Sequence, residues 1–392
     1  MSAPILFLAL VFGIHIVAVN LGIALSTIVL LLKRKADTLG SKELDKTAHD
    51  LFRIYAATYG LAGVMGTAFT VFLLSFYPEF LGVAGNITLI PFGISIVSIV
   101  LHFLAIVVYW YGWENLSRNT HFAFGLLLVL TAYTIPLGFR AVFAFLNTPV
   151  GLVLSPKPSL NVLEALSNPT FLPLYLKSIA GALTAGFLFV AALFYFKASK
   201  TGLSEEERKL ASLSVEYAGM GLFAMMFLGA WYSISLVDVP IKFNNIFGFL
   251  GVGIQAPVTA NYSWLFLAKM FLVLLQGAVI IKLYRAGFTL EGIKSSARWA
   301  IVGAASALLT ILCGEYLNAF SQYPYFIANA PLLLSSLPEP YKTILARSLD
   351  LEKINPIATD PTLFVVTVVA LLILLSAAAF LIYKVFLEKG TE

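Results

Sequence analysis

The chain has 392 residues, of which 60% are hydrophobic and only 11% charged, against about a quarter in ordinary soluble domains. That balance excludes a soluble globular fold and points to an integral membrane protein. The net charge of +5 is no argument for nucleic acid here, and the single cysteine, Cys313, excludes a disulfide framework or a cysteine zinc site within the chain.

Taken in chain order, apolar stretches of the roughly 20 residues needed to cross a bilayer fall near 4–32, 54–78, 86–113, 120–146, 171–196, 213–237, 261–284, 298–321 and 362–387. The fold class read from them is all-α and polytopic, with nine transmembrane helices. The first stretch runs into "KRK" with no small-residue cleavage site, so it is expected to be a retained helix rather than a signal peptide. The segment 42–53, "KELDKTAHDLFR", has apolar residues at helical spacing; it fits a short interfacial helix and a solvated loop about equally. The segment 322–361, with Pro324, Pro331, Pro338, Pro340, Pro356 and Pro361, is expected to be an outer loop that caps its face. No soluble segment reaches domain size, so 1–392 reads as a single transmembrane domain.

Lys and Arg report orientation in such a protein. They concentrate after span one (Lys33, Arg34, Lys35, Lys42, Lys46, Arg53), after span five (Lys197, Lys200, Arg208, Lys209) and after span seven (Lys282, Arg285, Lys294, Arg298). The alternate connections at 79–85, 148–170 and 238–260 hold only Lys157 and Lys242, while 322–361, with Lys342, Arg347 and Lys353, blurs the pattern. The bias places the N-terminus outside and the C-terminus in the cytoplasm.

An ionisable residue at mid-membrane costs about 2.5–3.5 kcal/mol on the insertion scale, so those found in spans mark interior sites. The candidates are His15, His102, Lys177, Glu216, Lys269 and Glu315. At a rise of about 1.5 Å per residue, His15 lies about 16 Å from the outer end of its span, Met270 about 13 Å, and Lys177 and Glu315 about 9 Å. A histidine, a methionine and a carboxylate at similar depth are axial-ligand types that haem iron accepts; core packing for Met270 and snorkelling for Lys177 and Glu216 are the competing readings. Ser95, Ser98, His102 and Tyr109 form one stripe on span three, suited to carrying protons or to gluing two helices. Glu315, Asn318 and Gln322 share a face of span eight, and His49 and His121 read as surface histidines.

Several stretches, in order, resemble subunit I of the cytochrome bd family of quinol oxidases. "YWYGWENL" (109–116) is similar to that family's aromatic–GW–acid–x–Leu ending of span three, and "FAFLNTPVG" (143–151) to its Asn–Pro–Val–Gly turn. "NPTFLPLYLKSIAGALTAGF" (168–187) resembles its Asn–Pro entry to span five, "LAKM" (267–270) its methionine region on span seven, and "CGEYLNAFSQYPYF" (313–326) its Gly–Trp…Glu–x–Gly–Arg–Gln–Pro–Trp segment. His15 then resembles the family's first-helix histidine, an axial haem ligand, and is the reason the resemblance implies haem of b or d type.

The departures are as informative. The family's span-five histidine, which with the span-seven methionine holds a haem b, aligns with Lys177, and a protonated amine cannot ligate iron; Met270 is thereby left without its partner. The family's glutamate in the last segment aligns with Ala319, with Glu315 one turn earlier as a substitute. Two span-three carboxylates align with Ile94 and His102, which gives His102 a role in proton handling. The quinol-oxidising loop is represented only by the short, nearly uncharged 238–260.

The resemblance therefore implies a diverged subunit-I paralogue in a prokaryotic plasma membrane. Its implied partner is a homologous catalytic subunit that receives quinol, in a complex that reduces O₂ to water. A haem-free structural subunit of that complex, and a transporter or channel along the span-three stripe, are the alternatives.

Overall fold

The computed structural model describes residues 3–153, 159–322, 325–349 and 360–387. Nine helices among them are long and apolar enough to cross a membrane: α1 (Ala3–Leu39), α2 (Lys42–Phe76), α4 (Leu89–Tyr111), α5 (Arg118–Asn147), α7 (Phe171–Lys200), α8 (Glu205–Ser235), α10 (Ser263–Ala286), α11 (Leu290–Phe320) and α14 (Pro361–Ile382). Between them lie the short helices α3 (Pro78–Ile87), α6 (Val162–Ala165), α9 (Pro240–Phe247), α12 (Ala330–Ser336) and α13 (Tyr341–Leu349). A two-residue hairpin pairs β1 (Leu152–Val153) with β2 (Ser159–Leu160).

Local chemistry sets the helix ends. Ser41, Ser117, Ser204, Thr289 and Asp360 each accept a hydrogen bond from a first-turn amide, satisfying donors that the helix itself cannot. Ser204 and Glu207 form a reciprocal capping box. Gly40, Gly202 and Gly287 have φ of 62°, 89° and 73°; in these left-handed conformations a side chain would be strained, and each glycine closes one tight connection, α1–α2, α7–α8 or α10–α11.

Four sequence expectations change. The segment 42–53 is helical and leads into span two, not a loop, but it is continuous with that span as the first third of α2 and buries Leu44, Ala48, Leu51 and Phe52 against the bundle instead of lying at the interface. The connection at 79–85 is helical, within α3. Spans six and eight begin earlier, at Glu205 and Leu290, because their charged first turns lie beyond the apolar windows but are well capped. The stretch 322–361 carries α12 and α13 and a small apolar core of Ile327, Ala330 and Leu345, with Phe326 stacked on Phe80 at 3.6 Å between ring centroids. Lys157, Pro324, Lys353 and Pro356 lie outside the described residues.

Helix α7 runs through the centre and packs on α1, α5, α8 and α11. Small residues make this close packing feasible: a Cβ at Gly186 would collide with Ala24 of α1, and one at Gly138 of α5 with the Pro91 carbonyl and Ser95 of α4. In lipid, where apolar burial does not drive helices together, such close backbone approach is a main source of association.

Candidate functional site

A buried polar cluster gathers at the end of the bundle where α7 and α10 begin. Arg140 of α5, 4% exposed, grips Glu315 of α11 with two parallel hydrogen bonds of 2.8 and 2.5 Å. A guanidinium and a carboxylate match in this forked geometry, and burying both is tolerable only because they are paired. Lys242 stands beside them on α9 with no exposed surface. Its ammonium donates to Asn147 Oδ1 (2.7 Å), to the Asn318 carbonyl (2.8 Å) and to Asn318 Oδ1 (2.6 Å). Burial pushes its pKa well below the usual lysine range, against the pull of the Glu315 carboxylate and with a smaller push from Arg140.

The neighbours close the network. Tyr232 donates to Asn318 Oδ1 (2.7 Å), Gln322 to Asn147 Oδ1 (2.6 Å), and Asn147 to Thr170 (3.0 Å). Asn168 reads the end of α5 through the Ala144 and Thr148 carbonyls and holds the start of α7 through the Thr170 amide. Asn245 fastens the loop before α10 by accepting from the Thr259 and Ala260 amides and donating to the Ser321 carbonyl. The Asn-rich α9 is thus a plug that seats Lys242 between α5 and α11.

Of the residues expected from the sequence, Glu315, Lys177 and Lys269 come together here. Lys177 places its ammonium 4.1 Å from the Tyr232 ring centroid, a cation–π contact. Lys269 lies with its side chain against Gly314. Met270 is half-buried on α10, about 100° around the helix from Lys269. Arg140 and Lys242 were missed, although "PLGFRAVF" (136–143) showed an arginine inside an apolar span. Lys242 gave no comparable signal, because "VPIKFNNIF" (239–247) reads as a connection. Glu315, expected as a substitute iron ligand, has both its oxygens engaged by Arg140. Glu216 is exposed on α8, where it accepts from Ser212 at 3.1 Å.

His15 stands apart and shares no hydrogen bond with that cluster. Its Nδ1 meets the Ala62 carbonyl of α2 at 2.8 Å, so Nδ1 carries the proton and donates, leaving the Nε2 lone pair free. Nε2 has no protein hydrogen-bond partner among the described residues. The ring lies on Gly66, where a Cβ would come within 2.7 Å of Cε1. An imidazole oriented by a backbone carbonyl through one nitrogen, with the other nitrogen bare, is the usual arrangement of a histidine that ligates a metal.

His102, 2% exposed, is the middle of a proton-ordered chain. Thr131 donates to the Leu127 carbonyl at 2.6 Å and therefore accepts from His102 Nδ1 at 2.6 Å, which leaves Nε2 to accept from the Tyr55 hydroxyl. The rest of the stripe is tied more locally: Thr134 donates to Ser98 (2.8 Å), and Ser95 donates to the Ile135 carbonyl (2.7 Å). The two histidines expected at the surface are not there. His121 is 2% exposed, stacked at 3.9 Å on Tyr109 and bonded to the Tyr109 carbonyl, while His49 is half-buried with its ring 4.8 Å from that of Trp113. Three aromatic residues near the end of α4 give both rings an apolar seat that charge-based reading of a loop overlooks.

Comparison with known proteins agrees with this architecture. The family model for cytochrome bd terminal oxidase subunit I matches residues 6–248. The solved bd oxidase from Geobacillus thermodenitrificans superposes with a TM-score of 0.77 over 97% of this chain and 96% of that one, at 15% identity, a likeness of fold. No curated protein matches the sequence.

Proposed function

The chain belongs to the cytochrome bd terminal oxidase subunit I family, and on that premise we propose that it is a diverged, second subunit-I-like chain of a bd-type quinol:oxygen oxidoreductase. It is a multi-pass membrane protein of a kind that assembles into multi-subunit complexes. In our reading its partner is a homologous subunit that keeps the quinol-oxidising loop, in a prokaryotic plasma membrane with the N-terminus of this chain outside.

The observation that carries the reading is His15, whose bare Nε2 and carbonyl-bonded Nδ1 fit a haem iron. Haem held there supplies the redox-active iron of the family. The chain's own contribution is to fix the imidazole tautomer through Ala62 and to leave room for the ring against α2, where Gly66 carries no Cβ.

The remaining candidates fit haem iron poorly. Lys177, at the family's histidine position, lays its Nζ over the Tyr232 ring, 4.1 Å from the centroid. Met270 therefore has no opposing ligand of the family type. Glu315 is spent on Arg140. These observations favour one haem position in this chain over several, and they lend weight to a second reading in which its main contribution is scaffolding.

His102 is assigned to proton handling. The ordered chain Tyr55–His102–Thr131 supports this by holding one tautomer: Nδ1 donates to Thr131, whose own hydroxyl ends the chain on the Leu127 carbonyl, and Nε2 faces the Tyr55 hydroxyl as the nitrogen at which a proton is taken up and returned. Reduced-minus-oxidised spectra with a pyridine haemochrome assay, on the chain alone and with its copurifying partner, test the proposal. Haem in the isolated chain that disappears in His15→Ala supports it. Haem stoichiometry unchanged by that substitution would sink the ligand assignment.

A further inference from the structure

The connection from α8 to α10 carries no charged residue between Lys242 and Lys269. Its first half, α9, buries Lys242, Asn244 and Asn245. The second half, 248–261, turns outward what a loop in water ordinarily hides: Phe249 and Val252 are each 60% exposed, Val258 48% and Leu250 37%. The exposed polar residues among them, Gln255, Thr259 and Asn261, are uncharged.

The backbone is arranged the opposite way. Asn244 closes the loop on itself, donating to the Ile254 and Ala256 carbonyls at 2.8 Å and accepting from the Ile254 amide at 2.9 Å. Asn245 accepts from the Thr259 and Ala260 amides at 2.9 and 3.0 Å, and its carbonyl accepts from the Tyr262 amide at 2.8 Å. Gly251, at φ 78°, turns the chain and donates to the Gly248 carbonyl. Peptide groups bonded inward and apolar side chains facing outward are the reverse of what water favours, and they are what a lipid environment requires.

The loop is also held at a definite level. Lys242 bonds Asn318, and Asn245 donates to the Ser321 carbonyl, both at the end of α11. The two roots of the connection are the ends of spanning helices, where Ile234 of α8 is 69% exposed and Trp264 of α10 is 62% exposed. Tryptophan at the end of a span is a marker of the membrane–water boundary.

We propose that residues 248–258 lie in the surface of the bilayer, with Phe249, Leu250, Val252 and Val258 inserted among the acyl chains just beneath the headgroups. Insertion removes their apolar surface from water. The Asn244 and Asn245 bonds let the backbone enter without that set of peptide groups left unpaired, and the lack of charge from 243 to 268 removes the other obstacle. A bilayer is favoured over a partner chain because the loop is rooted between two spans whose flanks are themselves open to lipid. The inference uses neither haem nor the oxidase assignment, so it stands or falls separately from them.

The test uses the full-length chain, with whatever copurifies, in phosphatidylcholine nanodiscs. In a Cys313→Ala background, spin labels on Phe249→Cys and Val252→Cys are compared with labels on Leu274→Cys, on the exposed flank of α10, and on Glu205→Cys, in the charged first turn of α8. Collisions with oxygen, which concentrates in lipid, are read against collisions with a water-soluble nickel chelate. The oxygen-to-nickel ratio at 249 and 252 is expected to rise above that at 205 and to shift towards that at 274. A ratio equal to that at 205 places the loop in water and overturns the proposal. Low accessibility to both reagents means that another protein surface covers the loop, and overturns lipid as its occupant. If the Cys313→Ala background does not fold, Phe249→Trp in the otherwise unaltered chain gives a second measurement: brominated phosphatidylcholine should quench the added fluorescence, and unquenched emission overturns the proposal.

Discussion

Arg140 and Glu315, 175 positions apart in the chain, meet through two parallel hydrogen bonds at the centre of the buried cluster and so tie α5 to α11. Removing one partner leaves the other as a buried, unpaired charge, which typically costs about 3–5 kcal/mol, whereas replacing both by apolar groups of similar volume is often close to neutral. Arg140→Leu and Glu315→Leu should therefore each lower the melting temperature sharply. The double variant should recover much of the loss, and a double-mutant cycle measures the coupling. A double variant as unstable as the sum of the singles would show that the two side chains act separately.

At His15, space as well as chemistry is constrained. Gly66→Ala puts a methyl group within 2.7 Å of the ring, closer than ordinary carbon contacts, so the imidazole has to turn or α1 has to shift. The expected outcome is an altered absorption spectrum, or partial loss of bound haem, with insertion and overall fold retained. His15→Ala should remove the signal altogether. A Gly66→Ala spectrum identical to that of the wild type would mean that the ring is not held against this glycine.

Residues differed in how far the sequence announced them. Spans were legible because nine apolar windows of the required length leave little choice, and the boundary errors fell where capped, charged turns extend α8 and α11 past those windows. Isolated ionisable residues such as His15 and Glu315 were legible because the membrane makes each one conspicuous. Arg140 had the same signal and was passed over. Lys242 and His121 were not legible: one is buried by a short helix in a connection, the other by aromatic rings of α4. Burial of that kind depends on tertiary packing, which has no local period.

His102 should be sensitive to both its neighbours. Tyr55→Phe removes the donor to Nε2, and Thr131→Val removes the acceptor at Nδ1, leaving a buried nitrogen unpaired at a typical cost of about 1–3 kcal/mol. In the assembled oxidase, His102→Leu is expected to slow oxygen consumption and to change its pH profile while haem content stays constant. Tyr55→Phe should act in the same direction but more weakly. Unchanged turnover and an unchanged pH profile in His102→Leu would reduce this chain of hydrogen bonds to a packing role.

Lys242 carries a pH signature that its position on α9, outside the spanning helices, makes testable. Its folded pKa lies well below the ordinary lysine value of 10.5 because burial disfavours the ammonium. Between those two values the unfolded chain holds more protons than the folded one, so stability rises with pH across that window and is lost as the pH falls towards the lowered value. Lys242→Met removes the titration and takes one donor each from Asn147 and Asn318, which keep those from Gln322 and Tyr232, a loss that does not depend on this group's charge. The wild type should therefore gain melting temperature over the variant as the pH is raised through the alkaline range. A difference between the two that stays constant with pH would mean that Lys242 keeps its proton equally well in the folded and unfolded chain.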